Sequence, residues 1–267
     1  MKTVLRHGSL AVSVAIAASG SASAGIVVDN FSSGSSVIGG TTTSFTGING
    51  QDISTSSSYL PVAGSANRRR IAANTTASYA GFNLGPAMTS RVDVTAGNAA
   101  ISLSGGSITG SQWSNASMST YFSYGTDSYS SGQSVDLSSM TSANIVGSGL
   151  LSVTSGVIPP LDIVMTLFSG TASRTWKVSL GAGAVGNQAF DLTSGFISGG
   201  SGSFSMSNVT YISYGFVLGF GYSGNYGSTA AGSGAFNYNL SQFGFVPAPG
   251  AMALMGAAGL CAGRRRR

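Results

Sequence analysis

The chain has 267 residues, 42% of them hydrophobic but only 7% charged, with 40 glycines and no glutamate. Long amphipathic helices place Glu, Lys and Ala on their wet face, so this composition excludes a helical protein and points to an all-β chain with many turns. The net charge of +5 does not describe the body: Lys2 and Arg6 lie near the start and Arg264, Arg265, Arg266 and Arg267 at the end, leaving six basic residues against seven aspartates, a net of −1. No basic surface for nucleic acid is expected there.

Residues 1–24 read as a secretory signal peptide. Lys2, Arg6 and His7 form a positive start, residues 10–18 an apolar run, and Ala22-Ser23-Ala24 the small residues that allow cleavage before Gly25. The apolar run is far below the ~20 residues of a membrane-spanning helix.

The body, residues 25–245, opens with a β-type run, Ile26-Val-Val-Asp-Asn-Phe31. In Arg91-Val92-Asp93-Val94 the valines share one face and the charged pair the other, and 100–103 repeats the alternation more weakly. Residues 163–168 are apolar on both faces, as in a central strand covered on each side. In 174–180, Trp176, Val178 and Leu180 point one way and Thr175, Lys177 and Ser179 face water.

Residues 210–222 place Ile212, Tyr214, Phe216, Leu218, Phe220 and Tyr222 at alternate positions, with Ser213, Gly215, Gly219 and Gly221 between them. So bare a face implies the close approach of another backbone or loop, or else a weakly packed outer surface. The last strand, 236–246, alternates through Phe236, Tyr238 and Leu240, then resumes with Phe243 and Phe245. That one-residue slip at Ser241-Gln242 predicts a bulge. Residues 194–203 and 223–234 are too rich in Gly and Ser for packed elements. Roughly a dozen strands without intervening helices imply antiparallel pairing, and a jelly-roll-like β-sandwich is the economical arrangement.

The reactive inventory is short. His7 is the one histidine and falls in the leader; Cys261 is the one cysteine and falls in the tail, so no intramolecular disulfide can form. Without His or Glu, Ser–His–Asp and Cys–His nucleophiles are excluded, and zinc, copper and non-haem iron lose their usual ligands. P-loop and dinucleotide-binding spacings are missing as well. The aspartates, at 29, 52, 93, 127, 136, 162 and 191, could serve only a glycosidase-type pair, and none sits in a recognisable catalytic context. A non-enzymatic protein with no catalytic residue, metal or cofactor is expected. Asp127 and Asp136 flank a polar loop, 125–134, able to offer oxygens to calcium, but a solvated turn fits the spacing better.

Aromatic rings give sugars a flat apolar platform, and Trp113, Tyr121, Tyr124 and Tyr129 cluster in a Ser/Gly-rich region as candidate glycan contacts. Asn30, Asn74, Asn115, Asn208 and Asn239 each begin an N-x-Ser/Thr sequon.

The chain ends in a three-part stretch, residues 246–267: Pro247-Ala248-Pro249, an apolar run over 251–263, and Arg264, Arg265, Arg266 and Arg267. In that order, and together with a leader, these resemble the PEP-CTERM sorting signal of exported bacterial proteins, in a Pro-Ala-Pro variant of planctomycete type where Ala248 stands for the usual glutamate. As a helix the apolar run spans about 20 Å, short of the ~30 Å hydrocarbon core unless the proline-containing lead contributes, and the arginines would stay on the cytoplasmic side. Cys261 fits that helix as a small apolar residue, with acylation as the other option. The resemblance implies an exosortase as processing partner, removal of the tail, and attachment or release at the cell surface. Val28-Asp-Asn-Phe31 and Leu240-Ser-Gln-Phe-Gly-Phe245 stand where cargo of this family carries its first and last strands. The function expected is that of an exported cell-surface or extracellular-matrix protein associated with exopolysaccharide, membrane-anchored through its C-terminal helix before processing. The alternative is a carbohydrate-binding module with a specific glycan site.

Overall fold

A computed structural model describes residues 25–42, 51–61, 68–79, 88–106, 114–125, 134–156, 161–220 and 232–247. Their strands are β1 (Ile26–Asp29), β2 (Ser36–Thr42), β3 (Gln51–Pro61), β4 (Arg68–Tyr79), β5 (Met88–Thr95), β6 (Asn98–Gly106), β7 (Ser114–Gly125), β8 (Met140–Gly156), β9 (Leu161–Ser169), β10 (Ala172–Leu180), β11 (Gly183–Val185), β12 (Gln188–Asp191), β13 (Ile197–Gly200), β14 (Tyr211–Phe220) and β15 (Gly232–Pro247). A single 3-10 turn, Met206–Asn208, accompanies them. Among the described residues no helix is long and apolar enough to cross a membrane. The expected leader and C-terminal helix lie outside the described residues.

The strands form two sheets. One is eight-stranded, in the order β11-β8-β15-β6-β5-β2 with β1 beside β15 and β12 beside β8; the other is seven-stranded, β13-β10-β9-β14-β7-β4-β3. Every pairing is antiparallel, as helix-free connections require. The inner faces meet through aromatic rings: Tyr214 of β14 lies 4.3 Å from Phe243 of β15, and Phe216 5.6 Å from Phe236, centroid to centroid. Burying one such side chain contributes about 1.5–3 kcal/mol, and an aromatic pair about 0.5–1.5 kcal/mol more.

Period-2 alternation decides which residues enter this core. Val92 and Val94 of β5 are buried while Arg91 and Asp93 share the outer face. On β10, Trp176 is buried and Lys177 and Ser179 are exposed. β9 lies between β10 and β14, and its outward-facing Asp162 and Val164 are buried along with its core residues. The phase slip in the last strand is a bulge: Leu240 pairs with Gly147 and Gln242 with Val146, so Ser241 is the extra residue. Phe236, Tyr238, Leu240, Phe243 and Phe245 consequently all reach the core.

Three boundaries differ from expectation. β15 begins at Gly232, inside the expected loop, because backbone alone completes a ladder: Gly232 pairs with Gly156 of β8, and Ser233 with Gly106 of β6. It also runs past residue 245 to a buried Pro247 opposite Met140, a position where the ring's missing N–H interrupts little. Within 194–203, Ile197–Gly200 pairs with β10 as an edge strand whose four residues are all exposed; an edge needs ladder partners but no core face.

The chain enters and leaves the sandwich at one end. Ile26 pairs with Phe245, and a Cβ built on Gly25 would stand 2.2 Å from the Phe245 carbonyl oxygen, so only glycine fits there.

Candidate binding face

Five aspartates have described side chains, and each is engaged with its own partners. Asp29 lies between the sheets. Its carboxylate accepts hydrogen bonds from the Phe31 amide (2.8 Å), the Tyr124 hydroxyl (3.0 Å) and Arg69 Nη1 (2.5 Å). Both charged side chains are essentially inaccessible. Arg69 also donates Nη2 to the Ser33 carbonyl and stacks 4.8 Å from the Phe31 centroid, though its Nε is buried without a partner. Phe31 holds a φ of 55°, costly for a non-glycine residue, against the packing of its own buried ring on Phe122. Val28-Asp-Asn-Phe31 is thus the device that fastens the first strand to the sandwich.

Asp93 pairs with Arg91 in the open. Asp136 and Asp191 close turns. Asp136 accepts from the Ser138 hydroxyl and amide, and Asp191 from the Thr193 and Ser194 hydroxyls and the Thr193 amide; these bonds hold both carboxyls below the usual carboxylate range. Asp162 faces outward from β9, accepting from the Ser179 hydroxyl at 2.5 Å and Lys177 Nζ at 3.4 Å. Among the described residues no group of three or more His, Cys, Asp or Glu could hold a metal. Asp127, on the far side of the candidate calcium loop, lies outside the described residues.

The candidate glycan aromatics separate. Trp113 and Tyr129 lie outside the described residues. Tyr121 and Tyr124 both belong to β7, but three positions apart on a strand means opposite faces. Tyr124 points inward: it is 4% exposed, stacks with Tyr214 and Phe243, and gives its hydroxyl to Asp29. It is a core residue and not a surface contact. Burial pushes the Tyr124 and Tyr214 hydroxyls well above the ordinary phenol range, with the Asp29 charge adding to both, and burial alone raises Tyr238 to about 12. Of the sequon asparagines, Asn30, Asn208 and Asn239 are exposed and Asn74 is half-buried.

Tyr121 points out, half-buried, over the bare face of β14. A Cβ on Gly215 would lie 2.3 Å from Tyr121 Cδ1 and 2.6 Å from Cε1, so the glycine makes room for a ring from the neighbouring strand. The close neighbours implied by glycine spacing are the Tyr121 ring and the backbone carbonyl oxygen of Thr120, both on β7. In register beside Gly215 and Tyr121 stand Val164 and Lys177. Four residues along the strands, Tyr211 and Phe168 are cross-strand partners whose rings meet edge-to-face at 5.6 Å.

Between these rows runs a line of hydroxyls. Thr175, Thr166, Ser213 and Ser123 are successive cross-strand partners on β10, β9, β14 and β7, and Arg70 of β4, exposed, continues the line. Neighbouring hydroxyls are in contact, Thr166 with Thr175 at 3.0 Å and Ser123 with Ser213 at 3.1 Å. The result is a strip of hydroxyls with aromatic side chains along both margins. The sequence singles out Tyr121 but not Phe168, Tyr211 or the hydroxyl line, because their alignment depends on register among four strands distant in the chain.

The opposite outer face, on the eight-stranded sheet, has another character. Val37 and Leu150 each stand half exposed, and Asn237 and Asn239 project between them on β15.

No protein-family model matches the sequence, and no curated protein matches it at a significant level. Among solved structures, the chain is similar to a family 11 carbohydrate-binding module from Clostridium thermocellum in complex with a beta-1,3-1,4-mixed-linked tetrasaccharide. The superposition has a TM-score of 0.34 at 12% identity and covers 80% of this chain and 98% of that one. At that distance the neighbour's ligand says nothing about what this chain binds.

Proposed function

We propose that this is an exported, non-enzymatic protein of the cell surface or extracellular matrix, built on a jelly-roll-type body and associated with exopolysaccharide. In this reading a PEP-CTERM-type signal at Pro247-Ala248-Pro249 and Arg264, Arg265, Arg266 and Arg267 directs sorting by an exosortase, after a transient stay in the membrane through the C-terminal helix. The observation that carries it is the three-part C-terminal stretch beginning where the last strand stops, at Pro247. The opening of the chain fits the same reading. Cleavage after Ala22-Ser23-Ala24 would leave Gly25 first, at a position that tolerates no side chain.

Mass spectrometry of the protein isolated from its host tests this directly. A mature chain starting at Gly25 and lacking the arginine cluster is expected; a chain retaining residues 251–267 would replace exosortase processing with a permanent anchor.

The second reading, a carbohydrate-binding module with a specific glycan site, is favoured by the hydroxyl strip and its flanking rings. Tyr124→Ala is not a test of it, since that change opens the core. Tyr121→Ala, which removes an outward ring, is.

A further inference from the structure

We infer that Arg174 is the centre of a carboxylate-binding site at the β10–β13 edge of the sandwich, taking an acid whose carboxylate is carried on an apolar body. The inference goes beyond the sorting reading and does not rest on it. It starts from two arginines that share one row on the inward face of the seven-stranded sheet. Arg69, Tyr124, Ile212, Leu167 and Arg174 are successive cross-strand partners on β4, β7, β14, β9 and β10. At one end of the row Arg69 meets Asp29. At the other, Arg174 meets no carboxylate: among the described residues it takes part in no ion pair and no hydrogen bond. An inward-facing guanidinium without a counter-charge is an incomplete version of the arrangement that Arg69 completes.

What holds Arg174 is aromatic. Its guanidinium carbon lies 4.1 Å from the Phe196 centroid and 4.8 Å from the Phe204 centroid, and Phe196 packs edge-to-face with Trp176 at 5.8 Å. Trp176 fixes the same segment by donating Nε1 to the Ser194 carbonyl. Ring faces attract the cation but leave the N–H groups in the guanidinium plane without acceptors. Nε is buried and unpartnered; the terminal nitrogens of this half-buried side chain have no partner either, and they reach solvent. The rings therefore orient the guanidinium and leave its outer edge open. Ser198, directly across from Arg174 on β13 and exposed, brings a hydroxyl to the same face.

That edge is a planar fork of donors, and a carboxylate matches it with two parallel hydrogen bonds. No described aspartate competes for it. Asp29 is held by Arg69, Asp93 lies on the opposite sheet, Asp162 faces outward on β9, and Asp136 and Asp191 close turns with their own donors. The flanking groups choose the body of the ligand: Phe196 and Phe204, both half-buried, offer ring surface beside the fork, and Ser198 is one polar group against two phenyls.

The test is calorimetric titration of the full chain with benzoate, with benzamide as its uncharged counterpart and with galacturonate as a carboxylate on a polar body. Benzoate should bind saturably, more weakly as salt rises, and should raise the melting temperature of the unmodified protein. Benzamide should not bind, and galacturonate should bind less tightly than benzoate. Arg174→Gln should weaken benzoate at least about tenfold, and Arg174→Lys, which keeps the charge and loses the fork, should weaken it by less. Arg91→Gln on the opposite sheet should change nothing. Because Arg174→Gln also releases Phe196 and Phe204, melting curves are taken alongside, and Ser198→Ala, expected to weaken benzoate about threefold, probes the site with the ring contacts intact. Equal binding of benzamide and benzoate, or undiminished binding by Arg174→Gln, would overturn the site. Tighter binding of galacturonate would overturn the apolar body. No benzoate binding by a fully folded protein would reduce Arg174 to a clasp that fastens the Phe196 and Phe204 segment to β10.

Discussion

Each outer face of the sandwich carries one ion pair among the described residues, and the two are built differently. On the eight-stranded sheet Arg91 and Asp93 sit two residues apart on one strand, 44% and 36% exposed. On the seven-stranded sheet Lys177 and Asp162 come from different strands, and while the lysine is 39% exposed the carboxylate is 2% exposed. The first is a solvated pair that organises nothing around it. The second fixes a buried charge under an accessible one, with Ser179 completing the carboxylate's shell. Between the sheets lies a third pair, Asp29–Arg69, in which neither member reaches water. The chemistry is the same at all three depths, so the energetic weight of an ion pair here is set by burial and by the hydrogen bonds that accompany it.

Denaturant titration can break that ordering at its deep end first. Arg69→Ala strands the Asp29 carboxylate inside the sandwich and should cost about 3–5 kcal/mol. The double change Asp29→Leu with Arg69→Met should recover much of that loss, since no buried charge is then left unpaired. A single Arg69→Ala variant as stable as the parent would remove depth as the governing variable.

The next effect comes from the tyrosines packed in the same interior. Tyr124, Tyr214 and Tyr238 hold their protons more tightly folded than unfolded. Their contribution is therefore whole below the unfolded pKa near 10 and is lost as pH rises through the folded values, about 12 for Tyr238 and well above the ordinary phenol range for the other two. Stability followed by circular dichroism should hold up to about pH 10 and fall steeply toward about pH 12 and beyond; a flat profile across that window would mean that these hydroxyls reach water.

Smaller again is Asp162→Asn, which gives up a charge-assisted bond but also relieves a desolvated charge, for a net cost of about 1–2 kcal/mol. Arg91→Ala should be the smallest, within about 0.5 kcal/mol and vanishing at high salt. Should thermal melts find these last two equal, the outer faces do not differ in the way their exposures imply.

The fold is legible in the sequence where large side chains alternate. β5, β10, β14 and β15 announce their inward faces through Val92 and Val94, Trp176, the Ile212–Leu218 set, and Phe236 onward, and even the bulge at Ser241 reads as a slip of phase. It is not legible where the inward set is mixed. β4 sends Arg69, Ile71, Ala73 and Thr75 into the core, so its pattern resembles a polar stretch until Asp29 is known to neutralise the arginine. β8 turns Gly147 and Gly149 inward beneath the Tyr238 ring, a face that has no side chains to read. The binding face is the least legible part. Tyr121 stands out by type, but Tyr124 looks equally suited to the surface until 114–125 is known to be one strand, and the hydroxyl line exists only after four strands fall into register.

The placement of β15 has a mechanical consequence. Along one side it is laddered to β8 from Gly232 to Pro247; along the other, β6 covers it to Leu240 and β1 takes over from Phe243 to Phe245. A load applied to the chain beyond Pro247, along the strand and against the rest of the sandwich, must slide both ladders at once, so many hydrogen bonds share it in shear. A load applied between Gly25 and the same point acts at one end of a short antiparallel pair and peels β1 away one bond at a time. A tether beyond the last strand would therefore draw on the fold's strongest geometry, and a tether spanning both chain ends on its weakest.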